Sequence, residues 1–567
     1  MKKKVVILGG GVAGMSAAHE LIERGFEVEV YEMKSIAGGK ARSVPVPNSG
    51  AGGRRDLPGE HGFRFFPRFY KHLPDTMKRI PFGSNADGVY NNLIDTTRIE
   101  YPRIGKAPIV IVDKFPTTLA AWKVIFNDVF HIDLGFKPGE KEYFAERIWQ
   151  IMTSCEDRRL DEYEKLPWWN FVGAATRSPA YQMYLGKGLT RCLNAAKATT
   201  ASTKTIGDVY VQLLLDVVTP GVSSDRILNG PTNDVWINPW LDYLRKRGVQ
   251  YNLGCKFESL ECKGGVITKA VVSSGKKKLG VQGDYYLIAV PLEVIARKLT
   301  KEILAADVTL TGIEQIRHNV QWMNGIQFYL KNDVPLIHGH ELYVETPWAL
   351  TSISQAPFWK NFNLPKDFGD GTVHGIISVD ISEWEVAGSK KYARGKIAKD
   401  CTHEEISKET WHQLKECLNT GGQTVLSDDN LHSWYLDPDI VNKKSKSSKD
   451  PDQIEIDREP LLVNLVNSWQ YRPDAHTRIP NLFLAADYVR TFTDLATMEG
   501  ANEAARRAVN SVIDASGSSA EMCKLWKLHE PDLLALWRNS DQKRYDQGLP
   551  WNGKVDLPAG CLGFFKR

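Results

Sequence analysis

The sequence predicts an α/β fold built on a central parallel sheet, and three observations predict it. Residues 5–8 (VVIL) are a short unbroken apolar run, as a strand buried on both faces is. Residues 13–24 carry Ala17, Ala18, Leu21 and Ile22 on one helical face and stop at Gly25. Residues 26–31 alternate as a second strand that ends at Glu32. Strand, helix and strand in that order make a βαβ unit of Rossmann-like type.

A chain of 567 residues exceeds what one core supports, so two or more domains are expected. Hydrophobic content of 42% with 25% charged residues is that of a soluble globular protein. The net charge of +4 is too small for a dedicated nucleic-acid binder. That matters for residues 59–72, GEHGFRFFPRFYKH, where interleaved basic and aromatic residues could otherwise stack bases and hold phosphates. The eight cysteines have no CxxC spacing, so the sequence indicates reduced thiols and neither a zinc site nor a disulfide framework.

The basic and apolar start MKKKVVILGGG mimics a secretory signal, but its apolar run ends after four residues, so a cytoplasmic protein is expected. No stretch of eighteen apolar residues occurs. The apolar segment 107–136 leaves peripheral membrane contact open.

Further along, 238–248 reads as a short helix leading into strands at 249–260, 265–272 and 284–290. Residues 402–418 have helical spacing, with Thr402 and Glu405 set as a capping box. The charged stretch 442–460 reads as a solvated loop. A strand at 482–486 and a helix over about 499–515 close the pattern.

Gly9, Gly11 and Gly14 form GxGxxG between the first strand and the helix. The first glycine permits the tight turn, the second admits a pyrophosphate to the backbone, and the third lets helix and strand pack closely. The diphosphate then meets free amides, those of Val12 and Ala13 among them, at the positive end of the helix. Glu32, eighteen residues past Gly14, can accept both ribose hydroxyls and would repel a 2′-phosphate; Met33 is next in the chain. This spacing alone leaves NAD and FAD both open.

The residues just past Glu32 separate the two. Residues 35–43, SIAGGKARS, resemble the GG-basic motif of the flavoprotein superfamily of amine oxidases and carotenoid desaturases. Gly38 and Gly39 let the backbone approach a cofactor, and Lys40 and Arg42 can neutralise phosphate or hold the ribityl side. Residues 479–509, IPNLFLAADYVRTFTDLATMEGANEAARRAV, resemble the closing flavin motif of plant and cyanobacterial-type phytoene desaturases. The resemblance implies that Ala486 and Asp487 meet the ribityl chain and that Met498, Glu499, Gly500 and Ala501 form the turn beside the isoalloxazine. It further implies a flavin-side loop at Gly59, Glu60, His61, Gly62 and Phe63, and contacts from Phe257, Ala289, Val290 and Pro291. Arg64 stands where the desaturases carry histidine. The resemblance is strongest over 5–80 and 455–515 and thin over 85–225 and 300–450.

The implied organisation is an FAD-binding domain from 1–80, 226–295 and 455–515. A substrate domain is formed by 81–225 and 296–454, with a helical or irregular extension at 516–567. A helix starting near Gly500 would direct its positive end at the flavin edge and favour the reduced anion. No cysteine lies near Asp487–Ala501, so the FAD is expected to be non-covalent. No metal site is expected, since Thr402-His403-Glu404-Glu405-Ile406-Ser407 lacks the second histidine of HExxH. His338-Gly339-His340-Glu341 reads as a polar turn.

The expected activity is an FAD-dependent desaturase or dehydrogenase acting on an apolar, isoprenoid or carotenoid-like substrate, with oxygen or a quinone reoxidising the flavin. Residues 107–136 and 207–219 suit either a hydrophobic tunnel or plain core. His61 and Arg64 are the catalytic candidates, each equally compatible with a structural role. The alternatives are a flavin amine oxidase, a redox dehydroxylase of a lipid such as hydroxysqualene, or a protein that keeps FAD structurally. Leu495, Ala496 and Thr497 stand where amine oxidases often place an aromatic ahead of MEG.

Overall fold

The computed structural model describes residues 2–62, 64–110, 134–219, 223–441 and 457–555. Phe63, most of the apolar segment 107–136 and most of the charged loop 442–460 lie outside the described residues.

The predicted parallel sheet has five strands: β1 (Lys4–Leu8), β2 (Glu27–Glu32), β3 (Gln250–Leu253), β4 (Tyr285–Ile288) and β5 (Leu482–Leu484). Their spatial order is β5-β4-β1-β2-β3, and every pairing is parallel. The chain therefore turns to one side after β1 and later returns to the other. That reversal opens a crevice at the carboxyl ends of β1 and β4, where ligands of such sheets bind. Helix α1 (Val12–Glu23) comes directly after β1, and α2 (Met498–Ser516) comes after β5 and packs against α1. Val5, Val6, Ile7 and Leu8 are fully buried, as their unbroken apolar run requires of a strand covered on both faces.

The segment 249–260 is not one strand. Gly254 takes φ +69°, a left-handed conformation that costs glycine nothing, and the chain breaks there between β3 and Cys255–Lys263. The latter joins Val266–Ser274 and Lys277–Val281 in an antiparallel sheet of three. Nor is 338–341 a turn, because Gly339–Tyr343 is a buried strand paired with Arg98–Arg103 and Leu350–Ser354.

A mixed seven-stranded sheet stands beside the parallel one. Its order is Leu431–Leu436, Asn324–Leu330, Gly375–Ile381, Leu350–Ser354, Gly339–Tyr343, Arg98–Arg103 and Lys106–Val110. One face, with Phe328, Leu350, Ile377 and Val379, packs on the helix His403–Leu418 through Ile406, Trp411 and Leu414. That helix carries the predicted capping box, Thr402 and Glu405 each bonding the other's backbone. The opposite face bears Thr351 and Asp380, directly opposed in register. A helical layer of Glu140–Thr153, Trp168–Phe171 and Thr203–Val218 has its own core, joined by Leu534 and Trp537 of the C-terminal extension. Leu414 is completely buried, so Leu414→Ala is expected to cost about 2–5 kcal/mol, read as a lower urea midpoint.

Candidate functional site

At the switch point lies a cavity of about 580 Å³, within the range of small-molecule and cofactor sites. Its floor is the glycine turn. A Cβ on Gly9, at φ +109°, would sit 2.4 Å from the Ala289 carbonyl oxygen, and one on Gly14 would sit 2.0 Å from that of Gly9. These two glycines let α1, β1 and the end of β4 close together. Gly11 differs: a Cβ there would meet only Gly39, 3.5 Å from its Cα, while the Gly11 backbone lines the cavity. Gly38 and Gly39 are both left-handed, and Gly39 opposes Gly11 so closely that a Cβ on it would lie 2.8 Å from Gly11 Cα.

Glu32 closes the next side. Its carboxylate accepts the N–H of Gly10 at 2.7 Å and of Lys34 at 2.8 Å, and burial pushes its pKa up against both bonds. Tyr251 donates its hydroxyl to the Gly10 carbonyl at 2.6 Å, fixing the turn from β3. Ala289, Val290, Pro291 and Phe257 form the wall beyond, and Met33 flanks Glu32. At the far end Ala486, Asp487, Met498 and Ala501 line the cavity with Leu495, Ala496 and Thr497. Thr497 caps α2 by accepting the Gly500 N–H at 3.1 Å, so the positive end of that helix borders the cavity.

Several residues expected at the site stand behind it instead. Gly59 and Glu60 lie in a two-stranded hairpin, Pro58–Glu60 against Ser43–Pro45, where a Cβ on Gly59 would strike the Val44 carbonyl at 2.6 Å. Glu499 turns away from the cavity and accepts the N–H groups of Lys71, His72 and Leu73 at 2.7–2.8 Å. Gly500 is spent on the α2 cap. Arg42 is drawn off by carboxylates: it pairs with Asp439 and, at 2.8 Å, with Glu459, which outweigh burial and raise its pKa. Lys40 does face the cavity. Burial opposes its charge, but Glu293, Asp487 and Glu459 raise its pKa.

His61 and Gly62 reach the cavity, as do Arg64, Phe65 and Tyr70. Phe66 and Phe69 go into the core. His61 Nδ1 lies 2.6 Å from Asp437, which raises the imidazole pKa despite burial. Arg64 donates through Nε to the Ala41 carbonyl at 3.3 Å and through Nη2 to that of Lys40, so it braces the 38–41 turn. His61, Asp437 and Asp439 present ligand atoms within 4.8 Å of one another, but Arg42 and Lys34 already neutralise Asp439. Asp437, Asp439 and Glu459 carry no local signature in the sequence. Glu459 is not solvated, as the charged loop had suggested, because Arg42 and Lys34 bind it.

The family model for flavin-containing amine oxidoreductases matches residues 12–513. The chain belongs to that family. Zeta-carotene desaturase of Arabidopsis thaliana is 24% identical over 563 residues, 92% of this chain and 87% of that protein. The flavin-dependent L-tryptophan oxidase RebO of Lentzea aerocolonigenes is 35% identical over 122 residues, so the match spans about a quarter (24%) of its length. Cyclohexylamine oxidase of Brevibacterium oxydans shares the fold with TM-score 0.59 at 13% identity, over 91% of this chain and 100% of that one.

The family's flavin fits the residues present. The Gly11 backbone lines the cavity with room beside it that a side chain would fill. Glu32 stands where ribose hydroxyls would bond, and residues near the two ends of the chain, Gly9 and Gly11 with Ala486, Asp487 and Ala501 among them, line one continuous cavity. These residues would hold FAD, whose chemistry is hydride acceptance.

Gly11→Ala should therefore leave the apoprotein's melting temperature nearly unchanged while weakening FAD binding by about tenfold or more, as titration of apoprotein with FAD would show. Glu60 supplies a second measurement. Burial, against Arg64 and bonds from Thr232 and Ser43, lifts its pKa from 4.5 to about 7. The folded state then holds a proton that the unfolded chain has lost, so this contribution to stability falls as pH rises from 4.5 to 7. Wild type relative to Glu60→Gln is expected to lose on the order of 3 kcal/mol over that window, in urea unfolding at several pH values.

Proposed function

We propose that the protein is an FAD-dependent dehydrogenase that takes hydride from one carbon of a largely apolar, isoprenoid-like substrate while the neighbouring carbon loses a proton to solvent, leaving a double bond. The observation that carries this reading is the composition of the cavity beyond the glycine cradle. Leu193, Met323, Leu461, Leu462 and Phe65 line it together with Leu495 and Ala496, which border the amino-terminal end of α2. Apolar walls there exclude water and strengthen the field of the helix end on the developing reduced flavin. The chain's own residues would do three things: orient the substrate through that wall, hold the 38–41 turn through Arg64, and keep Asp487 and the 495–498 segment in place. The long match to zeta-carotene desaturase supports the apolar class.

No described helix is long and apolar enough to cross a membrane. A quinone or oxygen as acceptor and a peripheral membrane contact belong to the same proposal, the former because a reduced flavin must pass on its electrons.

Anaerobic mixing of the holoprotein with isoprenoid lipids and, separately, with primary amines provides the check. Loss of the oxidised flavin's visible absorbance with a lipid and not with amines is expected. Loss with amines alone would assign amine oxidation instead.

A further inference from the structure

Where the seven-stranded sheet meets the cavity, its face carries the polar Thr351 and Asp380, although the same face is apolar further along, at Tyr329, Ile353 and Ile376. Thr351 and Asp380 oppose each other across neighbouring antiparallel strands, and the residue opposite Asp380 on its other side is Gly325. Thr351 is 1% exposed and lines the cavity, yet its hydroxyl has no hydrogen-bond partner. Asn194 enters from the helix Leu189–Asn194, and its buried Oδ1 also has no partner and also belongs to a cavity-lining residue. That helix is docked on the same sheet: Ser382 Oγ donates to the Cys192 carbonyl at 3.2 Å, and Cys192 packs against Leu342 and Ala349. Asp380 sits against Gly62, where a Cβ would lie 2.6 Å from its Oδ1.

A buried hydroxyl and a buried amide oxygen left without partners each cost free energy unless something bonds them. A wall meant for a pure hydrocarbon would carry valine or leucine at these places. We propose that the chamber takes an apolar molecule bearing a hydroxyl group, and that Thr351 and Asn194, beside Asp380, hold that hydroxyl. A hydroxyl matches the set because it both donates, to Asn194 Oδ1, and accepts, from Thr351 Oγ1. A cationic amine matches less well. The Arg64 guanidinium already lies within electrostatic reach of Asp380, so a second cation there would meet a positive neighbour. The inference rests on the proposed function in taking this chamber to be the substrate site, and it names the polar end of that substrate.

Three probes of one chain length test it: farnesol, farnesene and farnesylamine, titrated into the oxidised holoprotein and monitored by the flavin difference spectrum. Farnesol is expected to bind about tenfold tighter than farnesene. Thr351→Val, which keeps the shape and removes the hydroxyl, should erase that difference by weakening farnesol alone, and Thr351→Ser should restore it. Farnesene binding as tightly as farnesol, farnesylamine binding more tightly than farnesol, or Thr351→Val weakening alcohol and hydrocarbon alike would overturn the proposal. No spectral response to any of the three would overturn the apolar-substrate reading itself, and this inference with it.

Discussion

Everything at this site depends on backbone approaching backbone. Gly9 touches the end of β4, Gly14 touches Gly9, and Gly39 touches Gly11, each at a separation that no Cβ would survive. The contacts are local in effect but global in origin, since β4 enters the sheet some 280 residues after β1. They bring unpaired amides to the mouth of the crevice and leave a space shaped for a diphosphate. Replace any of these approaches with a side chain and either the sheet opens or the space fills.

The carboxyl-terminal end is tied to that cradle by specific bonds as well as by packing. Asn502 donates to Ser16 Oγ at 2.8 Å and Thr76 Oγ1 at 3.0 Å, joining α2 to α1 and to the helix His72–Lys78. Glu499 neutralises the amino end of that same helix, a favourable place for a carboxylate. Arg472 and Lys204 converge on buried Asp494, whose φ of +46° is held by those partners, and so fix the loop that enters the cavity at Leu495. The helical layer thereby helps set the position of the cofactor-facing segment, through Lys204 at the start of Thr203–Val218.

Beneath the 38–42 turn, Lys34, Arg42 and His61 face Asp437, Asp439 and Glu459 in a buried charged cluster. Such a cluster gains little net stability over an apolar one, but losing a single member strands a charge. Its evident consequence is geometric. It joins the parallel domain to the strand Leu431–Leu436 and holds the turn that opposes Gly11. Residues 207–219, by contrast, stay out of the cavity: Tyr210, Val211 and Leu215 pack within the helical layer, and none of the described residues of that helix lines the cavity.

The fold class and the cofactor cradle were legible because their determinants are local. A glycine spacing, an apolar run and a capping residue act within one or two turns of chain, so β1, α1, Glu32, the Thr402 cap and the start of α2 could be read directly. Gly254 is an equally local signal, and it breaks the long strand that the apolar pattern of 249–260 suggests. What faces the cavity could not be read in that way. Glu60 and Arg42 sit one or two residues from cavity-lining neighbours yet turn aside, because Ser43 and Thr232 hold the Glu60 carboxylate, Gln327 accepts its N–H, and Asp439 and Glu459 capture Arg42. Thr351, Asp380 and Asn194 gain their meaning only from sheet register and helix docking. Short-range sterics settled the nucleotide cradle in the sequence itself, whereas the substrate end was decided by long-range pairing, which no local pattern encodes.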